Sequence, residues 1–216
     1  MNDLEFELAR DLALALDVAD AADAFTLPRF HEADFAIDWK RNQTEVTEID
    51  QRAETLIVDR LLGERPSHGT YGEEHGAQGD PESPWQWVID PIDGTSGFVR
   101  GIPIWATLIA LTHAERGAVL GVVSAPALGR RWWGGLGIGA AMAVFGDERP
   151  IVVSTVDDLA DAQVSITHSG GWDELGLTGQ LHENLPVLAD SNARGIVWNL
   201  DRRLERIAIA IHNLPL

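Results

Sequence analysis

The segment from residue 85 to residue 95 constrains this chain more than any other part of its sequence. Residues 87–89 are a tryptophan followed by two β-branched residues, a composition typical of a strand. Two carboxylates follow at once, Asp90 and Asp93, on either side of a proline that favours a turn. A glycine and a threonine come next, where a helix can begin. The segment therefore predicts a strand that delivers paired acidic side chains into a turn.

A second acidic pair, Glu73 and Glu74, precedes this segment and is flanked by Gly72 and Gly76. Four carboxylates packed against small, turn-forming residues repel one another unless cations lie between them. Hard oxygen ligands of this kind suit Mg²⁺ or Mn²⁺. A backbone amide at the start of a helix suits a phosphate group. Metal ligands beside a phosphate site predict phosphoryl chemistry.

The composition narrows the class of protein. With 216 residues, of which 45% are hydrophobic and 23% charged, the chain can bury one good core or two small lobes. The net charge of −18 argues against a nucleic-acid partner, whose phosphates would be repelled. It allows a phosphorylated small molecule, because bound divalent metals would invert the local charge. The absence of cysteine excludes disulfides, thiolate catalysis and thiolate-bound zinc.

Neither a membrane partner nor export is expected. No apolar stretch approaches the roughly 18–20 residues that span a bilayer. Residues 1–5 are acidic and lack a signal-peptide pattern. We therefore expect a cytoplasmic protein.

Two amphipathic helices are predicted before the acidic motifs. The first covers residues 3–31, where apolar side chains recur at helical spacing, and Pro28 marks a bend or its end. The second begins at Thr47, because Thr47 with Asp50 three residues later resembles a capping box. Its apolar stripe consists of Ile49, Ala53, Leu56, Ile57 and Leu61.

Short β-rich runs follow the helices. A loop is predicted over residues 63–79, carrying the first acidic pair. Residues 104–111 and 119–124 are predicted to form an antiparallel hairpin, and residues 131–133 a third strand. Residues 134–139 are predicted to be a glycine-rich connection, and residues 152–154 a further strand. The tryptophans at 132 and 133 are interpreted as core or subunit-interface residues. This order of elements predicts an α+β or layered αβα fold.

The acidic motifs resemble those of the inositol monophosphatase superfamily of metal-dependent, lithium-sensitive phosphatases. The resemblance covers residues 3 to about 175 and rests on four segments: 46–50, 72–74, 87–95, and Phe98 with 101–103. Two further segments, 99–108 and 124–133, are similar to histidinol-phosphate phosphatases of the bacterial histidine pathway.

The resemblance implies a layered αβαβα sandwich that forms a homodimer and requires Mg²⁺. It also implies hydrolysis of a phosphorylated small molecule, with L-histidinol phosphate as the leading substrate and L-histidinol and phosphate as products. By analogy with the family, Glu73, Asp90 and the Ile92 carbonyl hold one metal ion, and Asp90 and Asp93 bridge to a second.

The resemblance also implies the catalytic roles. Glu73 and Thr95 would orient and activate the attacking water, and the amides of Gly94 and Thr95 would bind the phosphate. Glu74 would be either a ligand through water or a partner of the ligands.

The resemblance weakens near Leu177. We expect a phosphatase domain over residues 1–177 and a divergent or truncated tail over 178–216, which leaves the fold incomplete and the tail poorly packed. The family's late Trp-Asp metal ligand has no match. Trp172-Asp173 lies too early and precedes Glu174-Leu175-Gly176, so we predict no ligand there or at Asp201.

Plainer interpretations compete with these. Residues 90–94 alone would suit a turn with a helix cap, but the acidic pair at 73–74 favours a metal site. The glycine cluster at 134–139 lacks the spacing and lysine of a P-loop. None of the seven histidines is predicted to be catalytic. Three alternative functions stay open: an inositol-1-phosphate phosphatase, a phosphatase of another small phosphate ester, and a non-catalytic remnant.

Overall fold

The computed structural model describes residues 3–39 and 45–155. Its centre is an eight-stranded sheet against which two long helices pack. The helices are α1 (Asp3–Glu32), α2 (Glu48–Glu64) and the short α3 (Thr95–Val99), with a 3-10 turn at Pro126–Leu128. The strands are β1 (Ile37–Trp39), β2 (Glu45–Thr47), β3 (Gly69–Gly72), β4 (Gly76–Gly79), β5 (Trp85–Asp93), β6 (Ala106–His113), β7 (Gly117–Ala125), β8 (Arg130–Gly135), β9 (Gly139–Val144) and β10 (Asp147–Ile151).

Both predicted amphipathic helices are confirmed. Helix α1 buries one apolar face against the sheet, and Pro28 does not end it, since the helix continues to Glu32. Helix α2 begins with the predicted capping box. The Thr47 hydroxyl accepts hydrogen bonds from the amides of Ile49 and Asp50, and the Thr47 amide donates to Asp50 Oδ2 at 2.9 Å. The cap fixes where the first turn of α2 lies.

The sheet has the order β10-β9-β8-β7-β6-β5-β3-β4, while β1 and β2 form a separate antiparallel pair. Among the described strands, β3 and β5 are parallel neighbours, and the remaining ladders are antiparallel. In the β3–β5 register Gly72 lies opposite Ile89. The residues that follow each of these two positions are acidic, so the parallel pairing brings the two acidic motifs together.

The loop predicted over residues 63–79 is wrong in part. Residues 69–72 and 76–79 form the antiparallel hairpin of β3 and β4, and the acidic pair occupies its turn. Both strands begin and end with glycine and lack apolar alternation, so periodicity could not reveal them.

The strand predicted at residues 152–154 is also wrong. Strand β10 lies earlier and ends at Ile151, and residues 152–155 have no regular structure. Its last pair joins Ile151 to Ala140, one residue from the start of β9, so little of β9 is left to pair with a longer β10.

The turn predicted at Pro91 is instead a bulge within β5. The strand continues to Asp93, but its register against β6 shifts between Asp90 and Asp93. A proline has no amide hydrogen to donate to a ladder, which explains the irregularity at this point. The Thr107 hydroxyl donates to the Pro91 carbonyl at 2.9 Å and holds the bulge.

The predicted β6–β7 hairpin, the third strand and the glycine-rich connection between β8 and β9 are confirmed. Trp133 packs against the main core, as its interpretation as a core residue requires. A second, smaller cluster of buried side chains joins α2, β5 and α3 and consists of Ile49, Ile92, Phe98 and Trp105. The Phe98 and Trp105 rings meet edge to face with centroids 5.0 Å apart. Because Ile92 lies between Asp90 and Asp93, this cluster packs directly against the acidic end of β5.

Every element named above belongs to one compact unit, which includes the described residues up to Val152. The predicted boundary at residue 177, the Trp172-Asp173 pair and Asp201 lie outside the described residues, so those expectations stay predictions. Among the helices of the described ranges, none has the length and apolar content needed to cross a membrane.

Candidate active site

Glu73 and Asp90 meet at the end of the parallel strand pair. Glu73 directly follows β3, and its amide donates to the Ile89 carbonyl at 3.2 Å. The Glu73 carboxylate lies close enough to the Asp90 carboxyl group to raise the pKa of Asp90. Two acidic groups this close disfavour each other's charged form unless a cation lies between them. Their proximity therefore marks a place that suits a metal cation.

Asp90 is deeply buried, with 2% of its surface exposed. Burial raises its pKa well above the ordinary value, and the charges of Glu73 and Asp93 add to the effect. One oxygen, Oδ1, accepts a hydrogen bond from the Ile92 amide at 3.0 Å. That bond closes the bulge around Pro91 and fixes the direction of the carboxyl group.

Asp93, at the other end of the bulge, is 6% exposed. Burial, together with the charge of Glu73, raises the pKa of Asp93 to about 7. A carboxyl group in this state binds protons and cations competitively near neutral pH. The bulge changes the register of β5 between Asp90 and Asp93. Both carboxyl groups therefore lie near Glu73, whose charge acts on each of them.

The donor set fits a hard divalent cation. The charged side chains that act on Asp90 are all acidic, and within the described residues no ion pair includes Asp50, Asp90 or Asp93. Carboxylate oxygens with a backbone carbonyl beside them are the ligands that Mg²⁺ prefers. In the part of the chain that the structure describes, no three acidic or histidine side chains are already arranged as a metal cage. Cation binding would therefore require these side chains to reorient.

The Thr95 hydroxyl lies at the start of α3 between two acceptors. It donates towards Asp50 Oδ1 at 2.9 Å and towards the Ile92 carbonyl at 3.0 Å. Asp50 is 1% exposed, and burial raises its pKa, although its hydrogen bonds to Thr47 and Thr95 oppose that shift. Because a hydroxyl has one proton and two lone pairs, Thr95 can donate to Asp50 and still accept a hydrogen bond from water.

Gly94 adopts a left-handed conformation, with φ of 94° and ψ of 34°, immediately before α3. A Cβ atom there would lie 2.9 Å from the Ile104 carbonyl oxygen. The Gly94 carbonyl accepts hydrogen bonds from the amides of Gly97 and Phe98. The first amides of a helix, which precede Gly97 here, have no acceptor within the helix. The amides of Gly94 and Thr95 are the predicted donors to the phosphate.

The Glu74 side chain is half-buried, and its backbone is fixed by another acidic residue. The amides of Glu74 and His75 donate to the two carboxylate oxygens of Glu54, each at 2.8 Å. Glu54 is completely buried in α2. Helix α2 therefore contacts the site twice, through Asp50 and through Glu54.

The structure brings together the residues predicted from sequence, namely Glu73, Asp90, Ile92, Asp93, Gly94 and Thr95, with Glu74 adjacent. Sequence reasoning recognised Asp50 only as a helix cap and did not identify Glu54. A signal for Glu54 was available. It lies next to Ala53 and three residues before Ile57, on the face of α2 that the apolar stripe buries, where a carboxylate needs a specific partner.

The model of the inositol monophosphatase family matches residues 7–197. The chain belongs to the inositol monophosphatase family. The match extends 20 residues beyond the predicted boundary at 177, which itself stays a prediction.

Relatives and solved structures agree with this family. The chain is 46% identical over 170 residues to a histidinol-phosphatase of Streptomyces coelicolor, covering 77% of this chain and 63% of that protein. It is 46% identical over 169 residues to a histidinol-phosphatase of Mycobacterium tuberculosis, covering 77% of this chain and 64% of that protein. The chain thus spans less than two thirds of the length of these two relatives.

The structure is similar to the extragenic suppressor protein suhB of Bartonella henselae, with a TM-score of 0.62 and 26% identity over 69% of this chain and 57% of that one. For the SuhB protein of Mycobacterium tuberculosis the TM-score is 0.55 with 31% identity, over 70% and 55% of the two chains. The predicted α+β class and the layered inositol monophosphatase fold are therefore confirmed.

Proposed function

We propose that this chain hydrolyses a phosphate monoester of a small molecule with the help of Mg²⁺. The observation that carries the proposal is the junction of two acidic motifs beside a hydroxyl that is itself held by a buried carboxylate. Glu73, Asp90, Asp93 and the Ile92 carbonyl are the groups that would hold Mg²⁺. The cation would neutralise the charge of the phosphate and of the leaving oxygen, and would lower the pKa of a water molecule.

The side chains around this cluster supply orientation and proton transfer. The Thr95 hydroxyl donates a hydrogen bond to Asp50, so a lone pair on its oxygen accepts a hydrogen bond from the attacking water. Glu73 accepts the second proton of that water. A new bond forms between the water oxygen and phosphorus, and the bond between phosphorus and the ester oxygen breaks. The ester oxygen leaves with the electron pair of that bond and takes up a proton, so that an alcohol and inorganic phosphate are released. The substrate phosphate would bind the amides of Gly94 and Thr95, and no covalent intermediate with the protein is required.

We propose L-histidinol phosphate as the substrate, with L-histidinol and phosphate as products. Support comes from the two relatives at 46% identity, both named histidinol-phosphatase. Inositol 1-phosphate is the second candidate, because a relative from Mesorhizobium japonicum that is 38% identical over 97 residues is named inositol-1-monophosphatase. We further propose that the protein acts in the cytoplasm as a homodimer, with neither nucleic acid nor membrane as a partner.

The test is phosphate release from histidinol phosphate and from inositol 1-phosphate by the purified chain, with Mg²⁺ and with a chelator. We expect Mg²⁺-dependent hydrolysis with a higher kcat/KM for histidinol phosphate. A preference for inositol phosphate would overturn the substrate and leave the reaction class standing. Full-rate hydrolysis by Asp90→Asn would overturn the assigned site, and no hydrolysis of either ester would favour a non-catalytic remnant.

A further inference from the structure

The turn that carries the acidic pair is anchored to helix α2 by one buried carboxylate. Glu54 accepts hydrogen bonds from two consecutive amides of the turn, with Oε2 facing the Glu74 amide and Oε1 facing the His75 amide, both at 2.8 Å. Its side chain is completely buried. A carboxylate that receives two amide hydrogens at one turn fixes both the position and the orientation of that turn.

Gly72 shows how closely the helix and the turn approach each other. A Cβ atom at this position would overlap the carboxyl group of Glu54. The backbone of Gly72 is not in the left-handed region, so its conformation alone would allow other residues. Space for the Glu54 carboxylate is therefore the reason that position 72 lacks a side chain.

A second attachment joins the same helix to the far side of the turn. The His75 ring places Nε2 3.1 Å from the Gln51 carbonyl and 3.2 Å from the Thr55 hydroxyl. This attachment is exposed to solvent, whereas the Glu54 contact is partly buried. The buried contact is the one that water cannot replace, so it dominates the placement of the turn.

Asp50 and Glu54 are four residues apart and lie on the same face of α2. Asp50 holds Thr95, the residue proposed to orient water, and Glu54 holds the turn that begins with Glu73. The two parts of the site follow the neighbouring strands β3 and β5, and one turn of a single helix contacts both of them.

We propose that Glu54 is a positioning residue, which sets the place of the Glu73 carboxylate relative to Asp90 and so the affinity of the site for a divalent cation. The inference rests on the proposed function, because it assumes that these carboxylates bind the cation. Glu54 itself does not contact the cation or the substrate. It acts through the turn.

Glu54→Gln tests this directly, because it keeps the shape of the side chain but leaves only one oxygen to accept two amide hydrogens. We expect the dissociation constant for Mg²⁺, measured by calorimetry in the absence of substrate, to rise by about 10-fold to 100-fold. We also expect faster hydrogen exchange at the amides of Glu74 and His75. The matched control is Val58→Ala, a buried change in the same helix one turn further on. It should lower Tm while leaving the Mg²⁺ dissociation constant within about twofold, since no turn contact is lost.

Gly72→Ala approaches the same contact from the other side and serves if Glu54→Gln does not fold. The added methyl group must displace the Glu54 carboxyl group or the turn, so we expect a comparable loss of Mg²⁺ affinity. In the double variant Gly72→Ala with Glu54→Ala, the overlap is removed. The loss of Mg²⁺ affinity in the double variant should then be smaller than the sum of the losses in Gly72→Ala alone and Glu54→Ala alone. Additive effects would show that the two residues act independently and would overturn the inference.

The results separate this inference from the proposed function. A wild-type chain that binds no Mg²⁺ would overturn the proposed function, and with it the basis of the inference. A wild-type chain that binds Mg²⁺ and a Glu54→Gln variant that binds it equally well would overturn the inference alone. Loss of affinity in Val58→Ala as large as in Glu54→Gln would reduce the role of Glu54 to general stability of α2.

Discussion

The Thr95 hydroxyl lies 2.9 Å from Asp50 Oδ1, although the two residues are 45 positions apart in the sequence. The other oxygen of Asp50 accepts hydrogen bonds from the amide and hydroxyl of Thr47. One carboxylate therefore caps helix α2 and holds the hydroxyl that faces the site. Its structural and chemical roles can be separated, because they use different oxygens.

The first prediction concerns this separation. Asp50→Asn should lower kcat by about 100-fold or more, since the amide is a poor acceptor for the Thr95 proton. Thr47→Ala is the matched control. It removes the cap while leaving the contact between Asp50 and Thr95, so it should cost about 1 kcal/mol of stability and little activity. Steady-state kinetics and thermal unfolding of both variants provide the measurement. An equal loss of kcat in Thr47→Ala would show that Asp50 matters only through the helix cap.

The second prediction concerns the cost of burying Asp90. In metal-free protein, Asp90→Asn should leave the free energy of unfolding unchanged or raise it, because it removes a buried carboxyl group whose ionisation beside Glu73 and Asp93 is unfavourable. The same variant should lose its response to Mg²⁺. In the wild-type chain, Mg²⁺ at 100 times its dissociation constant should stabilise the fold by about 2.7 kcal/mol. Chemical unfolding with and without Mg²⁺ measures both effects, and a full Mg²⁺ response in Asp90→Asn would contradict the assigned ligand set.

The candidate site could be predicted from the sequence because its residues are adjacent in two short motifs. A run such as Asp90 to Thr95 carries its chemistry in residue types and spacing, which need no knowledge of the fold. The hairpin of β3 and β4 could not be found in this way. Its strands are four residues long and bounded by glycine, and the sheet rather than local periodicity makes them strands.

The two residues that were missed or only partly recognised, Asp50 and Glu54, share one physical reason. Each acts across a long sequence separation, and nothing in the local pattern indicates the partner. Asp50 also satisfies the sequence signature of a capping box, which accounts for one of its oxygens. The partner of the other oxygen could be identified only from the fold. A carboxylate on the buried face of an amphipathic helix shows that a partner exists, but it does not name that partner.

The third prediction concerns pH. In metal-free protein the pKa of Asp93 is raised to about 7, whereas in the unfolded chain an aspartate titrates near pH 3.9. Between those two values the folded state retains a proton that the unfolded state has lost. The free energy of unfolding of the metal-free protein should therefore fall as pH rises from about 4 to about 7.

Mg²⁺ competes with that proton, so the stabilisation that Mg²⁺ provides should increase as pH rises. Stabilisation by a fixed Mg²⁺ concentration should be larger at pH 8 than at pH 5.5, because at the lower pH the cation must displace bound protons. Urea unfolding at both pH values, with and without Mg²⁺, measures the difference. Asp93→Asn is the control variant and should reduce both dependences. A Mg²⁺ effect that is the same at the two pH values would show that Asp93 does not bind the cation.

The fourth prediction concerns Gly94, whose left-handed backbone lies against the Ile104 carbonyl. Gly94→Ala adds a Cβ atom 2.9 Å from that oxygen, in addition to the strain of a side chain at positive φ. Gly101→Ala is a matched control, because Gly101 also has positive φ, at 70°, but has no atom within 4 Å of an added Cβ. The control should lose about 1–2 kcal/mol from backbone strain alone. Gly94→Ala should lose more, and it should also weaken the binding of inorganic phosphate, because it displaces the first amides of α3. Unfolding free energies and phosphate titrations of both variants decide the matter: equal losses would show that the contact with Ile104 does not constrain the phosphate site.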